Sequence, residues 1–325
     1  MSRNKSPVLA VDLGGTKIVA ALVSAQGDII QREYRLSLAK EGPEPVINRL
    51  LAMIGCILDK AKIKISQLMG VGIATAGILD ARRGLVTASP NLPGWHDIPL
   101  RDIVKSKLGV SVYLINDASA AALGEHRYGA GRDVDNLIYL TVSTGIGGGI
   151  IIGGELYSGV DGCAGEIGHM TIETDGPQCS CSNFGCLEAL ASGTAVANEA
   201  ISRVSRGEKS SLTEISGGRF ENITAEIVGV AAWDGDPMAC EIVAKAANYL
   251  GIGMANLVNI FNPEKIVIGG GMAHMGDMLL EPARRVVRER AFQLPAGRVN
   301  IVPAQLGDDA GVIGAAAFVF EKQSC

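Results

Sequence analysis

The sequence predicts an α/β protein, and three observations support this fold class. Short apolar segments typical of buried strands alternate with longer segments whose apolar residues recur at helical spacing. The 42 glycines are distributed through these apolar segments, which indicates tight turns between strands and helices. The chain has 325 residues, 47% of them hydrophobic, which is enough for one large domain or two ordinary domains that share a cleft.

The first predicted elements are an antiparallel hairpin, a third strand and a helix. Residues 8–12 form an apolar strand, and the glycine turn 14–17 leads directly into a second apolar strand over 18–23. Residues 29–38 are predicted as a third antiparallel strand. Residues 45–62 are predicted as a helix, because their apolar side chains recur every three or four positions.

Two more buried strands complete the first half of the chain. They cover 71–74 and 112–115, and each is short, apolar and rich in branched side chains. The polar pair Asn116 and Asp117 follows the second strand and opens an alanine-rich helix over 118–124.

A second strand–turn–strand unit begins after a polar loop. Its strand 137–142, glycine-rich turn 143–149 and returning strand 150–152 repeat the order of the first hairpin. A long apolar helix over 239–260 and a strand over 265–268 follow later. The repetition predicts two related halves, each with one phosphate-facing turn.

Composition and charge exclude several classes of protein. The formal net charge is −5 and no run of Lys or Arg occurs, which argues against a nucleic-acid partner. No uninterrupted apolar segment of about 18 residues is present, so we expect no membrane span. The polar start of the chain lacks the apolar region of a secretory signal, and we therefore expect a cytoplasmic protein.

The first glycine turn is a candidate phosphate site. Gly14 and Gly15 let the backbone approach a phosphate, and their N–H groups with the Thr16 hydroxyl are donors for its oxygens. Lys17 adds a positive charge, and Asp12 at the strand end is placed to hold Mg²⁺ through water. The alternative is an ordinary tight hairpin.

The second glycine turn, with Thr144 and Gly145, is a matching candidate. Two such turns from two halves favour a nucleotide whose phosphates are held from both sides. Gly269, Gly270 and Gly271 end a later strand, where absent side chains let a flat base lie against the backbone. A plain strand–helix turn is the alternative for these three glycines.

Asn116 and Asp117 are candidate catalytic residues, because they stand at the carboxyl end of a strand. A carboxylate at such a position can accept the proton of a substrate hydroxyl that attacks a phosphoryl group. The alternative is that Asp117 only caps the helix that follows.

One histidine and three cysteines form the strongest cluster in the sequence. His169, Cys179, Cys181 and Cys186 lie within 18 residues and make a Cys₃His set, which suits a structural tetrahedral zinc site. The spacing differs from that of a zinc finger, because the first two cysteines are separated by one residue. Free cysteines in a loop are the alternative. In a chain without a secretory signal, a metal site is favoured over disulfides.

Two glutamates flank this cluster. Glu166 precedes His169 by three residues, and Glu188 follows Cys186 by two. A metal that folds the segment back on itself brings both carboxylates toward one polar ligand. Together with Asn116 and Asp117, they indicate a ligand rich in hydroxyl groups, namely a sugar.

Taken together, these motifs resemble the ROK family of sugar kinases and repressors. The resemblance runs from about Val8 to Phe320. It depends on the following segments in this order: 12–17, 116–117, 144–169, 179–188 and 269–271. Several spaced motifs in the right order make a chance agreement very improbable.

The resemblance implies a two-domain actin-like (ribonuclease H-like) ATPase fold, with sugar and ATP bound in an interdomain cleft. The expected domains are a smaller one over 1–130, completed by a C-terminal helix over about 309–325, and a larger one over 131–308. By analogy Asp117 is the catalytic base, and Mg²⁺ accompanies the ATP. The sugar ligands would be Asn116, Asp117, Glu166, His169 and Glu188, and the zinc ligands would be His169, Cys179, Cys181 and Cys186.

Two further stretches are similar to the glucokinase branch of the family. They contain Gly77, whose backbone would lie near the sugar, and Asn91, which would touch a sugar hydroxyl. Glucose is therefore the expected substrate. The alternatives are mannose, fructose, N-acetylglucosamine, N-acetylmannosamine or a sugar sensor without catalysis. Ser180 departs from the pattern, because glycine is commoner at that position.

The family resemblance also bears on architecture. ROK repressors carry a winged-helix domain ahead of the kinase-like part. Here the first strand begins at about residue 8, so we expect no such domain. Family habit and the apolar helices favour a homodimer or homotetramer.

Overall fold

The structure is a computed structural model, and it describes residues 6–89 and 91–324. The strands are β1 (Val8–Leu13), β2 (Lys17–Val23), β3 (Ile29–Leu36), β4 (Val71–Thr75), β5 (Ile78–Asp80), β6 (Leu85–Ala88), β7 (His96–Ile98), β8 (Val112–Asn116), β9 (Leu137–Val142), β10 (Ile146–Ile152), β11 (Glu155–Leu156), β12 (Lys265–Gly269) and β13 (Asn300–Pro303). The helices are α1 (Pro43–Ala61), α2 (Leu100–Leu108), α3 (Asp117–Tyr128), α4 (Leu187–Ala191), α5 (Gly193–Ser205), α6 (Leu212–Ile215), α7 (Ala225–Trp233), α8 (Pro237–Phe261), α9 (Asp277–Arg290), α10 (Gln293–Ala296) and α11 (Ala310–Ser324).

Two five-stranded sheets confirm the prediction of two related halves. The first sheet has the order β3-β2-β1-β4-β8, and the second has the order β11-β10-β9-β12-β13. In the first, β1 is antiparallel to β2 and parallel to β4, and β4 is parallel to β8. In the second, β9 is parallel to β12, and β12 is parallel to β13. Each sheet therefore combines three consecutive strands with two added parallel strands.

A third sheet, β5-β6-β7, was not predicted from the sequence. Its strands have only three or four residues each. Segments this short carry too few side chains for a clear alternation of apolar and polar residues.

The described chain divides into two compact units. Of the described residues, the first contains 6–89, 91–135, 149–165 and 305–324, and the second contains 136–148 and 166–304. The sequence placed the boundary after residue 130 and assigned only the C-terminal helix back to the first domain. The segment 149–165, which includes β11, has no composition that marks it as part of the first unit.

Both faces of the first sheet are buried along β1, β2 and β4, which explains the nearly continuous apolar sequence of these strands, whereas the edge strand β3 alternates between partly buried and exposed residues. Successive residues of β1 point to opposite faces. Leu9 and Val11 pack with apolar side chains of α1 and α2, whereas Val8 and Ala10 pack with those of α3 and α11. The sheet of the first unit is thus a middle layer between two pairs of helices.

Close packing of α3 against α11 depends on two glycines. A side chain at Gly314 of α11 would overlap the carbonyl of Ala120, and a side chain at Gly124 of α3 would approach the Ala310 carbonyl to 2.7 Å. Glu125 ties the same helix to the chain before α11. Its buried carboxylate accepts N–H bonds from Gln305 and Leu306, as well as from Ala130.

None of the helices in the described residues combines the length and the apolar character needed to cross a bilayer.

Candidate active site

The carboxyl edge of the first sheet carries the predicted site residues of the first unit. Because β1, β4 and β8 are parallel, their carboxyl ends lie at one edge. Asp12 belongs to β1, Gly77 follows β4, and Asn116 ends β8 in register with Thr75. The parallel order therefore places residues that are far apart in sequence on one side of the sheet.

The first glycine turn is confirmed as the connection of a tight hairpin. The N–H of Gly14 donates to the Lys17 carbonyl at 3.0 Å. A side chain at Gly15 would collide with the backbone of Asn91, so the structure places this predicted sugar residue directly against the turn. The Lys17 ammonium pairs with Asp308 at 3.1 Å.

The carboxyl of Asp12 is in an unfavourable place for a negative charge. Burial raises its pKa to about 7, the nearby Asp117 and Asp308 add to the increase, and Lys17 opposes it. A side chain at Gly311 would meet the Asp12 Oδ2 at 2.6 Å, so only glycine lets α11 come this close. A cation beside Asp12 would offset the cost of its charge.

Asn116, rather than Asp117, is the N-cap of α3. Its Oδ1 accepts the N–H groups of Ala118 at 3.0 Å and Ser119 at 3.1 Å, which leaves its amide group as a donor. Asp117 Oδ1 accepts from the Ala118 N–H at 2.8 Å. Burial raises the pKa of Asp117, which makes its carboxylate a stronger base than an exposed one.

Gly77 has a backbone conformation that explains its identity. Its φ is +106°, and a side chain there would overlap the backbone of Ala88 and contact Ser89. The turn after β4 thus needs glycine for steric reasons, whatever it binds.

In the second unit, α5 holds the second glycine turn. The Gly193 N–H donates to the Ser143 carbonyl at 2.7 Å, and the Thr194 hydroxyl donates to the Thr144 carbonyl at 2.8 Å. The first N–H of β10, on Ile146, donates to Glu188 at 2.9 Å. This turn is therefore fixed from both of its ends.

A cavity of about 790 Å³ opens beside this turn. Its lining includes polar residues of the turn and of the first residues of α5 and α7, such as Thr144, Thr194 and Glu226. It also includes apolar side chains such as Met275 and Trp233, the latter 78% exposed. A cavity that combines apolar side chains with polar groups suits a ligand with a flat ring and a charged tail.

Only some of the residues predicted to bind the nucleotide line this cavity. Thr144 and Gly271 do, because the parallel strands β9 and β12 end at the same edge. Gly269 lies against the Tyr139 ring, Gly270 lies against the Val142 backbone with φ +84°, and Gly145 lies against Glu188. Close packing therefore requires glycine at these three positions, and their contact with a nucleotide stays a prediction.

Sequence reasoning missed most of the cavity wall. The unpredicted lining residues are Gly193, Thr194, Ala197, Asn198, Ile201, Ile223, Thr224, Ala225, Glu226, Gly229, Val230, Trp233, His274, Met275 and Met278. They come mainly from α5, α7 and the turn after Gly271. One signal was present: Thr224 precedes an apolar helix and accepts the Ile227 N–H as its N-cap.

The four predicted metal ligands are brought together. One ligand atom from each of His169, Cys179, Cys181 and Cys186 lies within 4.8 Å of the others. Cys179 Sγ is 3.6 Å from His169 Nδ1, and Cys181 Sγ is 3.7 Å from Cys186 Sγ. Tetrahedral zinc with Zn–S of about 2.3 Å and Zn–N of about 2.0 Å has edges of roughly 3.5–3.8 Å, so the donor set fits this ion.

The backbone around the cluster explains how it forms. Isolated bridges join Thr171 to Cys186 and Gln178 to Phe184, which folds the segment back on itself. Burial raises the pKa of the Cys186 thiol to about 12. A metal ion supplies the positive charge that would let such a thiol ionise.

Glu166 and Glu188 lie on two sides of this Cys₃His cluster. Glu166 Oε2 is 3.9 Å from His169 Nε2, the ring nitrogen opposite the one that faces Cys179. Glu188 Oε1 is 3.9 Å from Cys179 Sγ and accepts the Ser180 hydroxyl at 3.1 Å. The segment thus presents two carboxylates and one imidazole nitrogen beside the cluster.

Comparisons with known proteins agree with this arrangement. The ROK family model matches residues 8–322. A glucokinase of Thermotoga maritima is 38% identical over 318 residues, which cover 98% of this chain and 98% of that protein. A xylose repressor of Caldicellulosiruptor bescii is 36% identical over 319 residues, 98% of this chain and 79% of the repressor. Among solved structures, a ROK family glucokinase from Streptomyces griseus in complex with glucose and AMPPNP matches with a TM-score of 0.85 at 34% identity, covering 97% of this chain and 99% of that one.

Proposed function

The chain belongs to the ROK family, and from this premise we propose that it is a sugar kinase that transfers the γ-phosphoryl group of ATP to the 6-hydroxyl of glucose. Its two-domain actin-like ATPase fold agrees with the expectation from the sequence. The observation that carries the proposal is Asp117, a partly buried carboxylate with a raised pKa at the carboxyl edge of the first sheet.

In the proposed reaction, Asp117 accepts the proton of the sugar hydroxyl as its oxygen attacks the γ-phosphorus. The new O–P bond forms as the bond from the γ-phosphorus to the bridging oxygen breaks, and ADP leaves with that electron pair. General-base catalysis of this kind contributes about 10²–10⁴-fold, and most of the remaining rate comes from positioning and charge neutralisation. Mg²⁺ would supply part of that neutralisation, and Asp12 is the residue proposed to hold it through water.

We propose that ATP occupies the cavity of the second unit. The adenine ring would lie beside Trp233 and Met275, and the phosphates would extend toward Thr144. In the first unit, the turn at Gly14–Lys17 is proposed to contact the phosphates through its N–H groups. Lys17 brings a positive charge to this turn, which its ion pair with Asp308 partly offsets.

We propose that the sugar is bound by Asn91, Asn116, Glu166, His169 and Glu188. Each offers a donor or acceptor to a hydroxyl group: Asn116 offers its amide N–H groups, and the glutamates accept. Glucose is the preferred sugar of the proposal because the relatives include glucokinases at 34–38% identity over at least 95% of the chain. Zinc is proposed as a structural ion on His169, Cys179, Cys181 and Cys186.

An ADP-release assay with a panel of sugars tests this function. The panel is glucose, mannose, fructose, N-acetylglucosamine and N-acetylmannosamine, each with ATP and Mg²⁺, and we expect the highest kcat/KM for glucose. Asp117→Ala should lower kcat by at least about 10²-fold while glucose still binds. The matched control is Asp59→Asn, an exposed carboxyl on α1. Wild-type turnover of Asp117→Ala would reject the proposed base.

The same assay separates the kinase from a sensor without catalysis. The similarity to the Caldicellulosiruptor bescii xylose repressor favours this second function, because that protein is named as a regulator. If calorimetry shows that a sugar binds, but no sugar in the panel leads to ADP release from ATP, the sensor would be established instead.

A further inference from the structure

The hydroxyl of Ser180 lies between two groups that the proposed function uses. Ser180 separates Cys179 from Cys181, and its Oγ donates a hydrogen bond to Glu188 Oε1 at 3.1 Å. The same Oγ is 3.9 Å from Cys179 Sγ. A single exposed hydroxyl therefore connects the Cys₃His cluster to a carboxylate proposed to bind the sugar.

The other oxygen of Glu188 is fixed by the second glycine turn. Glu188 Oε2 accepts the Ile146 N–H at 2.9 Å, and a side chain at Gly145 would collide with this oxygen. Each carboxylate oxygen thus has its own donor. Two hydrogen bonds, one on each oxygen, define one orientation of the carboxylate plane.

Without the Ser180 hydroxyl, this orientation would be opposed by charge. Glu188 Oε1 is 3.9 Å from Cys179 Sγ, and a cysteine that ligates zinc is a thiolate. Two negative atoms at this separation repel each other. A hydroxyl that donates to the carboxylate offsets the repulsion and keeps Oε1 beside the cluster.

The geometry points to Ser180 as a positioning residue for the sugar: its hydroxyl holds Glu188 in the orientation that accepts a sugar hydroxyl. This inference depends on the proposed function, in which Glu188 contacts the sugar. In this proposal the Ser180 hydroxyl does not contact the atoms that react. Its loss should therefore weaken glucose binding and leave the chemical step nearly unchanged.

The test compares Ser180→Ala with Ser180→Thr, which keeps the hydroxyl. Ser182→Ala is the matched control, because it removes another exposed hydroxyl from the same loop. For each variant, glucose Kd is measured by calorimetry without nucleotide, KM and kcat by ADP release, and zinc per chain by atomic emission.

We expect Ser180→Ala to raise glucose Kd and KM by about three- to tenfold, the effect of one hydrogen bond to a carboxylate in a partly exposed site. Its kcat should stay within about twofold of the wild-type value, and its zinc content should be unchanged. Ser180→Thr should restore most of the affinity, and Ser182→Ala should match the wild type.

Two results would overturn the role of Ser180. One is a wild-type glucose Kd in Ser180→Ala, and the other is a loss of zinc from that variant, which would make the residue part of the metal loop only. Both leave the proposed kinase intact as long as the wild-type chain phosphorylates glucose. Failure of the wild-type chain to bind or phosphorylate any sugar would reject the proposed function itself.

Discussion

At the scale of single residues, His169 has two different neighbours on its two ring nitrogens. Nδ1 is 3.6 Å from Cys179 Sγ, whereas Nε2 is 3.9 Å from Glu166 Oε2. A metal ion bound to Nδ1 leaves the proton on Nε2 and fixes the direction of the ring. The Cys₃His cluster would then determine how the imidazole is oriented toward a sugar, although the metal itself would take no part in phosphoryl transfer.

We predict that removal of one zinc ligand weakens sugar binding. The wild-type chain should carry about one zinc ion, and Cys181→Ser should lose most of it, because even mutation of a group behind a metal ligand typically costs about 10–100-fold in metal affinity or activity. The glucose Kd should rise, because His169 then loses its fixed orientation. Zinc content and calorimetry are the measurements. Cys240→Ser, an exposed cysteine outside the cluster, is the control. Unchanged glucose affinity in a zinc-free variant would contradict the prediction.

The raised pKa of Asp12 predicts a dependence of stability on pH. Its pKa in the folded chain is about 7, against an ordinary value of 3.8, so folding favours the protonated form. This contribution to stability is complete below about pH 4 and is lost as the pH rises through about 7. Asp12→Asn is neutral at every pH, so it should become more stable than the wild type as the pH rises from 5 to 8.

Urea midpoints of the wild type and Asp12→Asn at pH 5 and pH 8 are the measurement. A difference between the wild-type and Asp12→Asn midpoints that is the same at pH 5 and pH 8 would show that Asp12 is ionised without cost. Asp59→Asn again serves as the exposed control.

At the scale of elements, the packing of α3 against α11 depends on contacts too close for a side chain. We predict that Gly314→Ala lowers the stability of the first unit by about 1–3 kcal/mol, because the added Cβ overlaps the Ala120 carbonyl and the helices must separate. The control is Gly55→Ala in α1, where an added Cβ meets nothing within 4 Å. That variant should be unchanged or slightly more stable. Equal urea midpoints for the two variants would contradict the prediction.

The carboxylate of Glu125 joins the end of α3 to the start of the C-terminal segment. It accepts the N–H groups of Gln305 and Leu306 on one oxygen and that of Ala130 on the other. Glu125→Gln replaces one acceptor with an NH₂ group that faces an N–H donor. We expect a loss of about 2–3 kcal/mol, since a buried donor is left unpaired.

Thermal and urea unfolding measure this loss, with Glu155→Gln on the exposed edge of β11 as the control. A wild-type midpoint for Glu125→Gln would mean that the three N–H groups find other acceptors.

At the scale of the whole molecule, the sequence predicted what is encoded locally. Both hairpins were evident because apolar strands flank glycine turns, and the Cys₃His cluster was evident because its ligands lie within 18 residues. The alternative interpretation of Asp117 as the cap of α3 was wrong, because Asn116 is the N-cap. Two polar residues in succession do not reveal which one has the non-helical backbone.

Features built from distant segments were not predicted. The cavity wall combines Thr144, Thr194, Trp233 and Met275, which become neighbours only when α5 and α7 pack beside the strand ends. The contact of Ser180 with Glu188 depends on a side-chain direction that spacing does not encode. The expected homodimer or homotetramer stays a prediction, which light scattering of the purified chain would decide.

The return of the C-terminal helix to the first sheet has a consequence for synthesis on the ribosome. Val8 and Ala10 are translated long before Val312 and Ala315, which pack against the same face. Until α11 is translated, this face of the nascent sheet has no helix α11 against it. The first unit is therefore the part of the chain that a chaperone would have to shield until α11 has left the ribosome.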